Sequence, residues 1–194
     1  ACLAAGEMDA ARRVADFLGH IAQLQPVPDE RFYTTIEADG RLGTEIQAED
    51  EFFWRIVDTK KKDQCWYAVG LPFAFLVQMA EATGESRYRE LVQWYFAFQE
   101  KCVNPWSGGS SGKAGWASAM LYRITGHQHY RDIAYQVGEM IAGWQNPNGS
   151  YSFPGYGHIA GEEPEISNQN YDLFAEFTLW LALISSNILA RDAS

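Results

Sequence analysis

The sequence predicts an all-α fold built from repeated helical hairpins. The first observation is an internal repeat: residues 70–105 recur as residues 112–147, with seven identities at a constant offset of 42 positions (112 − 70). The second is that apolar residues recur at intervals of three and four, as on one face of a helix. The third is that Gly, Pro and Asn interrupt these segments where helices end. A repeat of this length across two helices is typical of stacked helical hairpins.

The first predicted helix covers residues 4–24. Its apolar residues form a single stripe, and it is followed by Pro26 and Pro28, which end it. The stripe consists of Ala10, Ala11, Val14, Phe17, Leu18 and Ile21. In the repeat pattern this helix takes the second, outer place of a hairpin whose first helix is missing. The chain is therefore predicted to be the C-terminal part of a longer protein.

Residues 28–62 break the helical pattern and are predicted to form an insertion with a small β-hairpin. Residues 32–36 are rich in β-branched and aromatic side chains, Asp39-Gly40 is a tight-turn dipeptide, and residues 42–46 are expected to return as the second strand. An acidic cluster at residues 49–51 and an aromatic run at residues 52–54 follow. Long insertions between helical units often carry binding groups.

The rest of the chain is predicted to alternate between inner and outer helices. Helices at residues 66–82, 112–124 and 168–189 are apolar on nearly all sides, which predicts burial. Helices at residues 4–24, 85–102 and 128–145 have one polar face and are expected outside them. In a ring of such hairpins the inner helices would line a central cavity, and the loops entering them would meet at one mouth.

Composition and charge narrow the function classes. A chain of 194 residues with 47% hydrophobic content suits one domain over residues 1–194. The formal charge of −10 makes nucleic acid and anionic membranes poor partners, and no run of about twenty apolar residues predicts a membrane span. Three cysteines without metal-binding spacing indicate reduced thiols and a cytoplasmic protein. A homodimer is left open as an assembly.

The repeated unit resembles a known architecture. An inner helix, Thr-Gly, x-x-x-Tyr-Arg, an outer helix and Gln145-Asn-Pro-Asn-Gly-Ser-Tyr151 resemble the α/α toroid of terpenoid cyclases, protein prenyltransferase β-subunits and many (α/α)6 carbohydrate enzymes. Residues 145–151 are similar to the Gln-x-x-x-Gly-x-Trp motif of squalene cyclases, with Tyr151 in place of Trp. The resemblance covers residues 66–190 and implies an (α/α)6-like barrel or half of one.

Within that set the chain most resembles the fungal humulene synthases of tropolone-sesquiterpenoid pathways, which are sesquiterpene cyclases. This resemblance implies farnesyl diphosphate as substrate, a pair of Mg²⁺ ions and an essential lysine on the diphosphate. The chain has no Asp-Asp-x-x-Asp and no Asp-x-Asp-Asp motif. It therefore departs from ordinary class I cyclases and from cyclases that begin by protonating the substrate.

Lys113 is the first candidate catalytic residue. The repeat places it opposite Leu71 (113 − 42), so one copy has an apolar residue where the other has a lysine at the start of a buried helix. A buried ammonium needs an anion, and Ser111 and the free N–H groups of a helix start add donors for one. The alternative is that Lys113 extends out of the mouth into water. His158, in an aromatic loop, is the second candidate, as an acid or base.

Two further groups of side chains are expected near the same mouth. Asp50, Glu51, Asn168 and Asp172 lie in loops or at helix starts and offer the oxygen ligands that Mg²⁺ prefers, although charged loops are more often simply solvated. Aromatic rings there can stabilise a carbocation or stack on a sugar, although most buried rings are core. The candidate substrate-binding aromatics are Trp66, Tyr67, Trp106, Trp116, Tyr151 and Tyr171.

Three functions remain open from the sequence. The first is a Mg²⁺-dependent cyclase acting on a prenyl diphosphate. The second is a toroidal glycosidase or lyase with paired carboxylates such as Asp50 and Asp172. The third is a non-catalytic helical repeat that binds a partner. An aliphatic and aromatic cavity favours the first, facing carboxylates beside exposed Trp favour the second, and an open surface without a closed pocket favours the third.

Overall fold

The structure, a computed structural model, describes residues 2–46, 54–62, 64–152 and 168–193, with the helical backbone alone for residues 168–171. Within these residues lie six helices and one two-stranded antiparallel sheet, which confirms the predicted all-α class. Contacts divide the chain into two compact units, Ala1–Pro105 and Trp106–Ser194. The elements are α1 Met8–Leu24, β1 Arg31–Tyr33, β2 Ile56–Asp58, α2 Tyr67–Thr83, α3 Ser86–Lys101, α4 Gly112–Thr125, α5 Gln128–Gly143 and α6 Asn168–Asp192. The toroidal arrangement stays a prediction.

The internal repeat is visible in the geometry of its two Thr-Gly pairs. Gly84 and Gly126 end α2 and α4 with positive φ angles of 70° and 73°, and each N–H donates to the carbonyl four residues earlier. The hydroxyl of Thr83 donates to the Met79 carbonyl at 2.8 Å, and that of Thr125 to the Leu121 carbonyl at 2.7 Å. Glycine adopts this left-handed conformation without steric cost, so the same pair stops the first helix of each hairpin in the same way.

The first unit packs α1, α2, α3 and the sheet around an aromatic core. The Phe32 ring of β1 lies within 6.0 Å of the rings of Trp94, Tyr95 and Phe98 on α3, measured between centroids. Gln25, just after α1, accepts a hydrogen bond from the Tyr33 N–H and donates to the Tyr33 carbonyl. The sheet is thereby fixed to α3 and to the end of α1.

The predicted β-hairpin is wrong in its pairing. The turn at Asp39-Gly40 is present, but Ile36 and Leu42 form only an isolated bridge. The partner of β1 is β2, in the register Arg31–Asp58, Phe32–Val57 and Tyr33–Ile56. Because β2 is buried and lies next to the aromatic core, long-range packing selects it over the nearer, exposed residues 44–46.

The second unit packs α4 between α5 and α6. α4 has ten buried residues among 14, against six among 16 for α3, which agrees with the predicted order of burial of these two helices. The start of α4 is close-packed because Gly112 leaves no room for a side chain: a Cβ there would lie 2.5 Å from Cδ1 of Trp180. The core of the unit comprises Ala119, Tyr122, Ala134, Val137, Ile141, Tyr151, Phe177, Trp180, Ile184 and Ile188.

The helix α6 is less buried than an inner helix is expected to be. Its residues Phe177, Trp180, Ile184 and Ile188 are buried, whereas Leu179 and Leu189 are 50% and 66% exposed. Residues 172–192 have a mean hydropathy of 1.6, and by length and composition they alone among the described helices could cross a membrane. The core helix of a soluble protein can have the same length and hydropathy, so this single helix is weak evidence for a membrane span.

Candidate functional site

Lys113 lies in the first turn of α4 and is only 8% exposed. Its ammonium nitrogen lies 2.7 Å from Oε2 of Glu176 on α6 and 5.0 Å from the centroid of the Trp180 ring. The side chain therefore does not extend into water, and it has the anionic partner that a buried ammonium requires. We call Lys113, Glu176, Trp180 and Trp116 the lysine cluster.

The position of the Lys113 ammonium is electrostatically unfavourable with respect to the dipole of its own helix. The partial positive charge of a helix N-terminus repels an ammonium in the first turn, so the backbone of α4 does not itself favour Lys113. The carboxylate of Glu176 and the face of the Trp180 ring offset that repulsion. The Glu176 side chain is 38% exposed and the Lys113 side chain 10%, so the pair is open to water on its carboxylate side.

Glycine and aromatic packing hold the cluster together. Gly112 allows Trp180 to lie against the start of α4, as described above, and the Trp180 and Trp116 rings are 5.8 Å apart with an interplanar angle of 32°. Ser111, fully buried just before α4, accepts a hydrogen bond from the Gly108 N–H at 3.2 Å. The Lys113 ammonium thus lies against one indole ring and one carboxylate, and its helix begins directly after a tightly folded turn.

Tyr151 belongs to the core beside the cluster. It is 2% exposed, and its ring lies 5.7 Å and 5.3 Å from those of Phe174 and Phe177 on α6. The turn after α5 places it there, since Gln145 and Tyr151 form an isolated antiparallel bridge. The position similar to the Trp of the squalene cyclase motif is therefore a packing position of this unit.

The other candidate residues are dispersed. Trp66, which is 1% exposed, and Tyr67, which is half-buried, belong to the first unit, and Trp106 is half-buried against the core of the second. Asp172 is exposed on α6, one helical turn before Glu176. Asp50, Glu51 and His158 lie outside the described residues, and the side chains of Asn168 and Tyr171 are not described. Among the described residues, no three of His, Cys, Asp and Glu lie close enough to hold a metal ion.

Glu176 is the residue that sequence reasoning missed. It stands alone among apolar residues of α6, four positions after Asp172, and therefore on the same helix face. A single carboxylate inside an apolar helix was the available signal, because such a group is rarely kept without a partner. Trp180 lies one turn further along the same helix, among the apolar residues from which burial was predicted.

The two buried cysteines, Cys65 and Cys102, have thiols of low reactivity. Burial raises the pKa of the Cys65 thiol to about 11 and that of the Cys102 thiol to about 12. The thiolate is the reactive form, so neither residue is a nucleophile at neutral pH.

Comparisons with protein-family models, with curated proteins and with solved structures found no match to this chain.

Proposed function

We propose that the chain belongs to a Mg²⁺-dependent terpene cyclase that acts on farnesyl diphosphate. The observation that carries the proposal is Lys113: a buried ammonium at a helix start, against the dipole, over the Trp180 ring and paired with the partly exposed carboxylate of Glu176. A cation kept in such a position at an energetic cost is typical of a site for an anion.

In this proposal Lys113 binds the diphosphate group as the allylic carbon–oxygen bond breaks. The anion would take over the contact that Glu176 makes at 2.7 Å, and the ammonium would stabilise the charge that grows on the leaving oxygen. Trp116 and Trp180 would present ring faces to the allylic cation. The aliphatic and aromatic surroundings of the unit would keep water away from that cation.

The residues near the cluster fit a hard cation in part. Asp172 and Glu176 are carboxylates one turn apart on α6, and Asn168 is one turn earlier still, which gives the oxygen chemistry that Mg²⁺ prefers. Bound there, Mg²⁺ would neutralise part of the diphosphate charge. Asp50 and Glu51, the other proposed metal ligands, lie outside the described residues.

Product analysis tests the proposal. The protein is incubated with farnesyl diphosphate and Mg²⁺, and hydrocarbon products are identified by mass spectrometry. We expect a cyclic sesquiterpene whose formation stops in EDTA and resumes when Mg²⁺ is added back. Turnover that survives chelation, or cleavage of an oligosaccharide instead, would overturn the assignment.

A binding module is the second candidate, and one observation favours it. Between α5 and α6 an open groove of about 320 Å³ is lined mostly by apolar side chains and is not part of the lysine cluster. Open apolar grooves accept helices from partners. If the protein forms no product from a prenyl diphosphate but captures a helical ligand in this groove, the binding function is the correct one.

A further inference from the structure

The helix α1 follows the same pattern as the outer helices α3 and α5. Arg12, Ala15, Gly19 and Pro28 have identical residues at a constant offset of 119 (131 − 12), namely Arg131, Ala134, Gly138 and Pro147. When α1 is aligned with α3 at an offset of 77 (88 − 11), four buried residues of α1 fall on buried residues of α3. Those pairs are Ala11 with Tyr88, Ala15 with Val92, Gly19 with Phe96 and Ala22 with Gln99.

In the first unit, α3 packs on one side of α1. A Cβ on Gly19 would lie 3.3 Å from Cδ1 of Leu91, and the hydroxyl of Tyr95 donates to the Leu18 carbonyl at 3.0 Å. Arg87 and Asp16 form an ion pair at 2.8 Å across the same contact. One outer helix therefore receives the next one on the face that carries Gly19.

The equivalent face of α5 lines the groove between α5 and α6. Gly138 is the counterpart of Gly19. A Cβ on Gly138 would lie 3.6 Å from Cγ2 of Ile184, so α6 borders this face and the groove of about 320 Å³ runs beside it. Glu139 is the single charged residue among those that line the groove. The lining consists of Ala134, Tyr135, Gly138, Glu139, Ala142, Leu181, Ile184, Ser185, Ile188 and Leu189.

The opposite face of α1 is apolar and exposed. Val14 is 43% exposed and Phe17 is 50% exposed. At the offset of 77 (91 − 14 and 94 − 17), their counterparts on α3 are Leu91 and Trp94. Leu91 faces α1, and Trp94 faces Phe32 of β1. Adjacent exposed apolar side chains indicate an interaction surface, whereas single exposed apolar side chains do not. Arg13, exposed beside Val14, adds a positive charge to this face.

We propose that a second copy of this chain occupies the groove, with its α1 lying between α5 and α6 of the first. In that position Val14 and Phe17 of one copy would cover Gly138 and Leu189 of the other, as α3 covers α1 within the first unit. Arg13 would approach Glu139, which makes the charges of the two surfaces complementary. The exposed face of α1 and the groove are different surfaces, so the contact is head-to-tail, and each molecule carries one α1 face and one groove.

The test uses two variants that each destroy one surface. Phe17→Glu places a charge on α1, and Leu189→Glu places one in the groove. Both positions are exposed, so the far-ultraviolet circular dichroism spectrum, which reports helix content, should match that of the parent protein. Val103→Glu, at a residue 37% exposed and outside both surfaces, is the matched control. Molar mass is measured by light scattering on the parent, on each variant and on an equimolar mixture of the first two.

We expect the parent and Val103→Glu to form dimers or longer assemblies, and each of the other variants to be monomeric. Mixed together, the two variants should form a 1:1 complex, because one intact α1 still meets one intact groove. A monomeric parent protein at about 100 μM overturns the proposal, as does a Phe17→Glu variant that still dimerises or a mixture that stays monomeric. A monomer that instead floats with phosphatidylcholine vesicles in a Leu189-dependent way would also overturn it and assign the groove to a lipid surface.

Discussion

At the scale of single residues, Lys113 is a buried ammonium whose carboxylate partner, Glu176, lies 2.7 Å away on another helix. The repeat singled out Lys113 because Leu71 takes its place in the other copy, and the structure gives those two positions opposite exposures, 8% and 45%. Glu176 and Trp180 were not identified, because the pairing of α4 with α6 depends on packing that no local pattern encodes. The position of a charge was predictable; the identity of its partner was not.

The cysteines should differ sharply in reactivity. Cys2 is partly exposed, whereas burial raises the pKa of Cys65 to about 11 and that of Cys102 to about 12. With iodoacetamide at pH 8 under native conditions, mass spectrometry should therefore find one modified cysteine, Cys2, and all three after denaturation. Rapid native labelling of Cys65 or Cys102 would contradict their placement in the core.

Gly112 should be intolerant of even one methyl group. Gly112→Ala would place its Cβ 2.5 Å from a Trp180 ring atom, so the indole or α4 must shift, at a cost of about 1–3 kcal/mol in the free energy of unfolding. Gly143→Ala is the matched control, because nothing lies within 4 Å of a Cβ there and α5 ends at that residue. Chemical denaturation of both variants should show a loss for Gly112→Ala alone; equal stabilities would mean that α4 and α6 are not in close contact.

Asp192 should contribute stability that depends on pH. It accepts a hydrogen bond from the Tyr122 hydroxyl at 2.7 Å and from Arg131 at 3.3 Å, and these contacts lower the pKa of the carboxyl below its ordinary 3.8. A lowered folded-state pKa means that the contribution is fully present above pH 3.8 and is lost as the pH falls through the folded value. The effect is small, because the group is solvated.

The measurement is the melting temperature of Asp192→Asn against the parent protein at several pH values. The variant should melt slightly lower at pH 7, and the difference should shrink as the pH falls below 3.8. A difference that grows toward acid pH would reverse the sign of the predicted linkage.

At the scale of elements, the repeat predicted hairpins well and strand pairing poorly. The helices over residues 66–82, 85–102, 112–124, 128–145 and 168–189 are present to within a few residues at each end, because stop signals such as Thr-Gly act locally. The pairing of β1 with residues 56–58 instead of 42–46 depends on burial against α3, which is a long-range effect. The exposure of α6 was missed for the same reason, since composition does not reveal which faces find partners.

Both helix ends should lose stability on substitution, and Gly126 at least as much as Gly84. A Cβ at Gly126 would also lie 2.5 Å from Nη2 of Arg191, whereas nothing lies within 4 Å of one at Gly84. Gly84→Ala and Gly126→Ala both force a side chain into the left-handed conformation, at φ angles of 70° and 73°, and each should lower the free energy of unfolding by about 1 kcal/mol. Asparagine at either place should cost less, because it tolerates this conformation. Denaturant unfolding checks both pairs, and a negligible loss at either glycine would show that its helix does not end in the predicted way.

At the scale of the whole molecule, the acidic charge of −10 and the two helical units are compatible with an enzyme for a small, largely apolar substrate. The proposed chemistry requires a strong anion-binding group within that acidic chain, and Lys113 is the described lysine that is buried. Its contact with Glu176 already gives the buried ammonium an anionic partner within the chain. The question for the proposed function is therefore whether the Lys113 ammonium takes part in turnover or only stabilises the fold.

Turnover of farnesyl diphosphate in Mg²⁺ by Lys113→Met tests this most directly. The double variant Lys113→Met with Glu176→Gln removes the carboxylate that would otherwise be left unpaired, and Leu71→Ala is the control at the equivalent position of the other repeat. We predict that both lysine variants stay folded and lose about 100-fold or more in kcat, as expected for about 3 kcal/mol of transition-state stabilisation, while Leu71→Ala retains parental turnover. Near-parental turnover in a folded Lys113→Met variant would contradict it and leave the Lys113–Glu176 pair as a structural contact.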